Sequence, residues 1–152
     1  MVEVPRYVID ASVAIKWYLS DEQHIETARR VRLDFERGLV RLLAPPQLHH
    51  EVASAILKAT RNTERPKRLS PTEGQGIIEA FLGWDVELVN HEILIPSAYQ
   101  IAGRYGCSYY DGLFLATAEM TNSPFVFADG KLRRALGNRF PLALWIEDYR
   151  QA

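Results

Sequence analysis

The chain has 152 residues, a formal net charge of −1 at pH 7, 47% hydrophobic and 24% charged residues, and a single cysteine. This composition is that of an ordinary globular domain, and it excludes both a globally basic nucleic-acid binder and a domain held together by internal disulfides. Because no apolar stretch is long enough to cross a bilayer and the first residues lack a basic signal-peptide region, we expect one cytoplasmic domain over residues 1–152 that makes no membrane contact.

Strands and helices are predicted to alternate along the chain. The predicted strands are Arg6–Ile9, Val40–Ala44, Val86–Val89, Phe125–Ala128 and Leu142–Trp145. The predicted helices are Ala11–Leu19, Asp21–Glu36, Pro45–Thr60, Thr72–Trp84, Glu92–Tyr105, Asp111–Met120 and Lys131–Leu136, and the polar segment Asn62–Pro71 is predicted to be a loop. This alternation is typical of a three-layer α/β/α fold in which helices cover both faces of a mainly parallel sheet of about five strands.

Four acidic residues fall where this sheet would present its carboxyl edge. Asp10 and Asp129 each end an apolar strand, Asp111 begins an apolar helix, and Glu51 lies early in the helix after two prolines. Ligands of open α/β sheets bind outside the carboxyl ends of the strands, and carboxylates gathered there would suit Mg²⁺ or Mn²⁺. Two such carboxylates about 4 Å apart would repel by roughly 4 kcal/mol at an effective dielectric of 20, and a bound cation would offset that repulsion.

Each aspartate also has an ordinary structural explanation. Asp10 and Asp111 could be helix N-caps, and Asp129 could belong to a turn with Gly130. Glu51 lies on the rim of the apolar face of its helix, where a glutamate could either reach the sheet edge or cover apolar surface with its stem. The joint placement of the four residues, more than any one of them, therefore predicts a metal site.

Two groups of basic residues could contact nucleic acid or could simply be solvated surface. One group is Lys58, Arg61, Arg65, Lys67 and Arg68, and the other is Lys131, Arg133 and Arg134, directly after Asp129. His24 has no metal-binding partner at helical spacing and is expected to be an isolated surface residue.

Four segments of the chain, in order, carry these acidic residues: Tyr7–Trp17, Pro46–Val52, Tyr110–Ala116 and Phe127–Leu132. Together they resemble the motifs of the PIN-domain family, and more closely those of its VapC-type toxin ribonucleases, over essentially the whole chain. The chain departs from the family at Phe127, where a threonine or serine usually stands two residues before the aspartate. It also has Gly112 where alanine is frequent, which we expect to be a minor change.

The resemblance implies a Mg²⁺- or Mn²⁺-dependent endoribonuclease that acts as the toxin of a toxin–antitoxin pair. The implied metal ligands and catalytic residues are Asp10, Glu51, Asp111 and Asp129. Ser12 would orient the carboxylates, and the residues that could hold RNA phosphates are Lys16, Lys131, Arg133 and Arg134.

The resemblance also implies three partners: an RNA substrate, a VapB-like antitoxin and a second copy of the chain in a homodimer. The alternative function is a catalytically weak or inactive PIN-like module that binds RNA or protein. Phe127 favours this alternative, because the hydroxyl that usually supports the metal ligands is missing there.

Overall fold

The structure is a computed structural model that describes residues 3–20, 22–64 and 68–150, and of residue 91 the backbone only. The strands are β1 Arg6–Ile9, β2 Arg41–Ala44, β3 Glu87–Leu88, β4 Phe125–Phe127 and β5 Ala143–Trp145. The helices are α1 Ala11–Ala14, α2 Ile25–Glu36, α3 Gln47–Arg61, α4 Pro71–Leu82, α5 His91–Tyr105, α6 Tyr109–Thr121 and α7 Gly130–Leu136. Two 3₁₀ turns, Ile15–Trp17 and Ile146–Asp148, follow α1 and β5.

All five strands are parallel and lie in the order β3-β2-β1-β4-β5, which confirms the predicted three-layer α/β/α fold. β1 takes the central position because its apolar residues Val8 and Ile9 are fully buried between two neighbouring strands and the helices on either face. From β1 the chain moves outward to β2 and β3, and then returns to add β4 and β5 on the other side. The carboxyl ends of β1 and β4 therefore flank the point where the strand order reverses, the usual ligand position in such sheets.

The predicted helices differ from the observed ones mainly at their ends. The first is α-helical only to Ala14 and continues as a 3₁₀ turn, and the second begins at Ile25 rather than at residue 21. Helix α2 does not begin earlier, because the backbone of His24 has a left-handed φ of 59° that an α-helix cannot contain. No helix in the described part of the chain is both long and apolar enough to span a membrane.

Helices α5 and α6 approach each other closely at Gly112. A Cβ atom at this position would lie 2.4 Å from the backbone oxygen of Ala98 and 3.3 Å from the Cβ of Ala102. The expectation that Gly112 is a minor change is therefore wrong, because only a glycine lets the two backbones come this near. The contact fixes the first turn of α6, which carries Asp111.

We expect Gly112→Ala to lower the free energy of unfolding by about 1–3 kcal/mol, because the added methyl group must push the α5 backbone away. Urea denaturation measures this change. The matched control is Gly103→Ala in α5, where an added Cβ meets nothing within 4 Å. That change should raise stability by about 0.5–1 kcal/mol, because alanine favours the helix more than glycine does. Equal effects of the two substitutions would contradict the close approach.

Candidate active site

Asp10 directly follows β1 and is 6% exposed. Its backbone N–H donates to the carbonyl oxygen of Val126 at 3.0 Å, so it stands beside the end of β4. Its carboxylate also caps α1 by accepting from the backbone N–H of Ser12 at 3.3 Å. The capping explanation is thus correct for Asp10, and it does not exclude a second role.

The Ser12 hydroxyl joins the ends of the two central strands. It donates its proton to Asp10 Oδ2 in a short hydrogen bond. The same oxygen accepts from the backbone N–H of Ala128 at 2.9 Å. Because the hydroxyl has a single proton and gives it to Asp10, the direction of both hydrogen bonds is fixed. Ser12 therefore holds the Asp10 carboxylate against the residue that precedes Asp129.

Asp129 is exposed at the end of β4, where its side chain caps α7. Its Oδ1 atom accepts from the backbone N–H groups of Lys131 at 2.8 Å and Leu132 at 3.3 Å. One carboxylate oxygen thus holds the helix and fixes the side chain. The other oxygen, Oδ2, takes no part in this cap.

Asp111 is the third residue of α6 and does not cap it, so the suggestion that it is an N-cap is wrong. The cap is Ser108, whose hydroxyl accepts from the backbone N–H of Asp111 at 3.0 Å. Hydrogen bonds from Ser108 also lower the pKa of the Asp111 carboxyl, but burial outweighs them and raises it overall. Glu51 is the fifth residue of α3, one turn after the start of the helix, and is partly buried.

Three of the four acidic side chains, Asp10, Glu51 and Asp111, have a raised pKa, and the charges of other members of the set contribute to each rise. Burial raises the pKa of Asp10 from its ordinary 3.8 to about 6, with further contributions from the charges of Asp111 and Asp129 and an opposing one from Ser12. Burial likewise raises the pKa of Glu51 from 4.5 to about 7, and the charges of Asp10, Asp111 and Asp129 add to it. Two helix caps, Asp10 and Asp129, and two helical residues, Glu51 and Asp111, therefore form one negatively charged site.

This donor set fits a hard divalent cation. In the described part of the chain, no three acidic, histidine or cysteine side chains are close enough to form a ready-made coordination cluster. Mg²⁺ does not need one, because it usually keeps several of its waters, and further carboxylates can bind it through them. The neighbouring carboxylates provide negative charge that such an ion would neutralise.

The basic residues predicted to contact RNA differ in their exposure. Lys131, Arg133 and Arg134 are exposed on α7. Lys16 is only 6% exposed, and its ammonium lies 3.6 Å from a carboxylate oxygen of Glu22. This burial argues against a direct contact of Lys16 with an RNA phosphate. In the basic group between residues 58 and 68, the exposed residues are Lys58, Arg61 and Arg68. Arg65 and Lys67 lie outside the described residues.

Phe127 is 2% exposed and belongs to the core. Its ring stacks on that of Phe125 with centroids 5.2 Å apart and an interplanar angle of 7°. The family's usual hydroxyl is therefore replaced here by an aromatic side chain that packs against other rings. The hydroxyl at this strand end comes from Ser12 instead.

The sequence analysis missed Trp145, which ends β5 beside Phe127. The guanidinium carbon of Arg133 lies 4.4 Å from the centre of the Trp145 ring, and the His24 ring centroid is 5.9 Å from it. The expectation that His24 is isolated is wrong. The available signal was a tryptophan at the carboxyl end of the predicted strand that follows Asp129 in the sequence.

Comparisons with known proteins agree with this architecture. The family model of the PIN domain matches residues 7–137, which include all four acidic residues. The chain is similar to Ribonuclease VapC12 of two Mycobacterium tuberculosis strains, with 27% identity over 137 residues that cover 90% of this chain and 97% of the relative.

Two solved structures share the fold. PAE2754 from Pyrobaculum aerophilum has a TM-score of 0.66 and 17% identity, covering 95% of this chain and 85% of the other. VapBC2 from Rickettsia felis, bound to a DNA fragment from its promoter, has a TM-score of 0.58 and 12% identity, covering 92% and 96%. Because the family model spans well over half of its length, the chain belongs to the PIN domain family.

Proposed function

We propose that this protein is a metal-dependent endoribonuclease, the toxin of a VapC-like toxin–antitoxin pair. The observation that carries the proposal is that Asp10, Glu51, Asp111 and Asp129 lie near one another: burial raises the pKa of the first three, and the charges of other members of the set add to each rise. These residues come from distant parts of the chain, and repulsion among them is the kind that a bound cation relieves. Family membership and the similarity to a protein named as a ribonuclease support the same function.

In this proposal Asp10, Asp111 and Asp129 hold Mg²⁺ or Mn²⁺, and Glu51 binds it directly or through water. When bound, such an ion lowers the pKa of an attacking water and offsets charge that develops on the phosphate. Ser12 keeps the Asp10 carboxylate in place through its fixed pair of hydrogen bonds. In-line attack by water on an RNA phosphodiester leaves a 5′-phosphate and a 3′-hydroxyl.

The proposed partners are RNA, a VapB-like antitoxin and a second copy of the chain, in the cytoplasm. Exposed apolar side chains support a protein partner, since Ile93 and Tyr99 of α5 are 60% and 76% exposed. The basic residues of α7 are exposed and come soon after Asp129, which supports a contact with RNA phosphates near the proposed metal site.

We expect Asp10→Asn to reduce RNA cleavage by more than about 100-fold, because an amide cannot supply the negative charge that the cation requires. The measurement is cleavage of a mixed RNA substrate with Mg²⁺ or Mn²⁺, with EDTA as the metal-free reference. Asp85→Asn is the matched control, since it makes the same change at an exposed position and should leave cleavage unaltered. Cleavage near the wild-type rate in Asp10→Asn would refute the assignment.

A non-catalytic module that binds RNA or protein is the second candidate, and the aromatic side chain at Phe127 favours it. The same experiment separates the two. Tight RNA binding that does not need metal, with no cleavage by well-folded protein in either metal, would support the binding module.

The carboxylate site also predicts how stability depends on pH without metal. The pKa of Asp10 is higher in the folded protein than in the unfolded chain, so the folded state binds more protons between about pH 4 and 6. Stability therefore falls as the pH rises through this window and stays lower above it. In EDTA near pH 4, the Asp10→Asn protein should have the same free energy of unfolding as the wild type. At pH 7.5 its free energy of unfolding should be higher than that of the wild type by about 3 kcal/mol or less, because the amide still accepts the Ser12 hydrogen bond and carries no charge.

Urea unfolding in EDTA at the two pH values measures this difference, with Asp85→Asn as the reference. Added Mg²⁺ should then stabilise wild type more than Asp10→Asn, since only the intact carboxylate set binds the ion well. A wild-type protein more stable than Asp10→Asn in EDTA at pH 7.5 would show that the carboxylates do not repel as described.

A further inference from the structure

Trp145 stands beside the proposed metal site, although it lies outside the residues matched by the family model. It ends β5 and pairs in register with Phe127, two residues before Asp129. Neighbouring parallel strands end at the same edge of a sheet, so the indole lies at the edge where the acidic residues gather.

The indole is held in place from three directions. The Phe127 ring meets it edge to face with centroids 5.4 Å apart, and the His24 ring does the same at 5.9 Å. Glu147 accepts a hydrogen bond from the indole N–H at 3.3 Å. His24 keeps a left-handed backbone, which costs free energy in a non-glycine residue and persists where its surroundings fix it. Trp145 is therefore a rigid surface rather than a mobile side chain.

Arg133 covers one face of this rigid surface. Its guanidinium carbon lies 4.4 Å from the centre of the Trp145 ring, and the residue is exposed. The backbone N–H of Arg133 donates to the carbonyl oxygen of Asp129 at 3.0 Å, which places the arginine one helical turn from a proposed metal ligand. The indole thus orients a planar cation whose outer side faces solvent next to the acidic site.

We propose that Arg133, whose guanidinium lies over the Trp145 ring, is a platform on which a nucleobase of the RNA substrate stacks beside the phosphate that is cleaved. The proposal rests on the ribonuclease function proposed above and adds base contact to it. Unpaired bases of RNA stack on aromatic rings and on guanidinium planes, and they need no sequence-specific hydrogen bonds to do so. Arg133 is the contact residue, and Trp145 acts through it as a positioning residue.

A stacking platform and a phosphate contact tolerate different substitutions of the arginine. A phosphate contact needs only positive charge, which a lysine also supplies, whereas stacking needs the planar guanidinium. Arg133→Lys therefore separates the two roles. Arg139→Lys is the matched control, because Arg139 also lies over an aromatic ring, that of Tyr105, at 5.0 Å, and has no part in the proposed site.

The experiment measures binding of a short single-stranded RNA by fluorescence anisotropy in the Asp10→Asn protein without metal, so that cleavage does not interfere. We expect Arg133→Lys to weaken binding about tenfold, the effect of losing one stacked base, and Arg139→Lys to leave it unchanged. The measurement is then repeated with a series of RNAs that each lack one base. For one RNA in this series, the protein with Arg133 and the Arg133→Lys protein should bind with the same affinity.

Equal binding by Arg133→Lys and the parent protein would overturn the platform. So would a loss that is the same for intact RNA and for every abasic RNA, because that pattern belongs to a phosphate contact. The ribonuclease proposal fails separately, when cleavage survives EDTA or Asp10→Asn or is absent in both metals. In that case the binding assay still reports on the platform.

Discussion

The pairing of β1 with β4 at the centre of the sheet is the contact on which the site depends. Backbone hydrogen bonds join the two strands, and the Ser12 hydroxyl continues the connection beyond their ends by bridging Asp10 and Ala128, residues far apart in the chain. The reversal of strand order at this pair opens a crevice between their carboxyl ends. Asp10 directly follows β1 and Asp129 lies two residues after β4, so both carboxylates belong to this end of the sheet.

Local packing around this crevice serves to hold acidic groups together against their repulsion. Gly112 lets α6 approach α5, and Ser108 caps α6, so Asp111 is free of a capping role and remains near the other carboxylates. Burial of Asp10 and Glu51 raises the pKa of each carboxyl, which is unfavourable for a fold without a bound cation. A local arrangement that lowers the stability of an otherwise well-packed domain is typical of a functional site.

The four carboxylates and Trp145 lie in different parts of the chain relative to the residues that match the PIN domain. The four carboxylates, and also His24 and Arg133, lie within the part that matches the PIN domain, whereas Trp145 lies after it. The proposed metal ligands are therefore part of the domain shared with the family. The aromatic surface that supports Arg133 gives one of the basic residues after Asp129 an orientation that a solvated arginine lacks.

The sequence by itself determined the α/β class, the alternation of strands and helices, and the placement of Asp10, Glu51, Asp111 and Asp129 at one edge of a sheet. It could do so because apolar runs and caps are local signals, and because strands in a parallel sheet all end on the same side. Only the tertiary structure decided the strand order, the need for glycine at Gly112, the burial of Lys16 and the stack of Arg133 on Trp145. Each of these depends on contacts between segments distant in sequence, which local patterns do not encode.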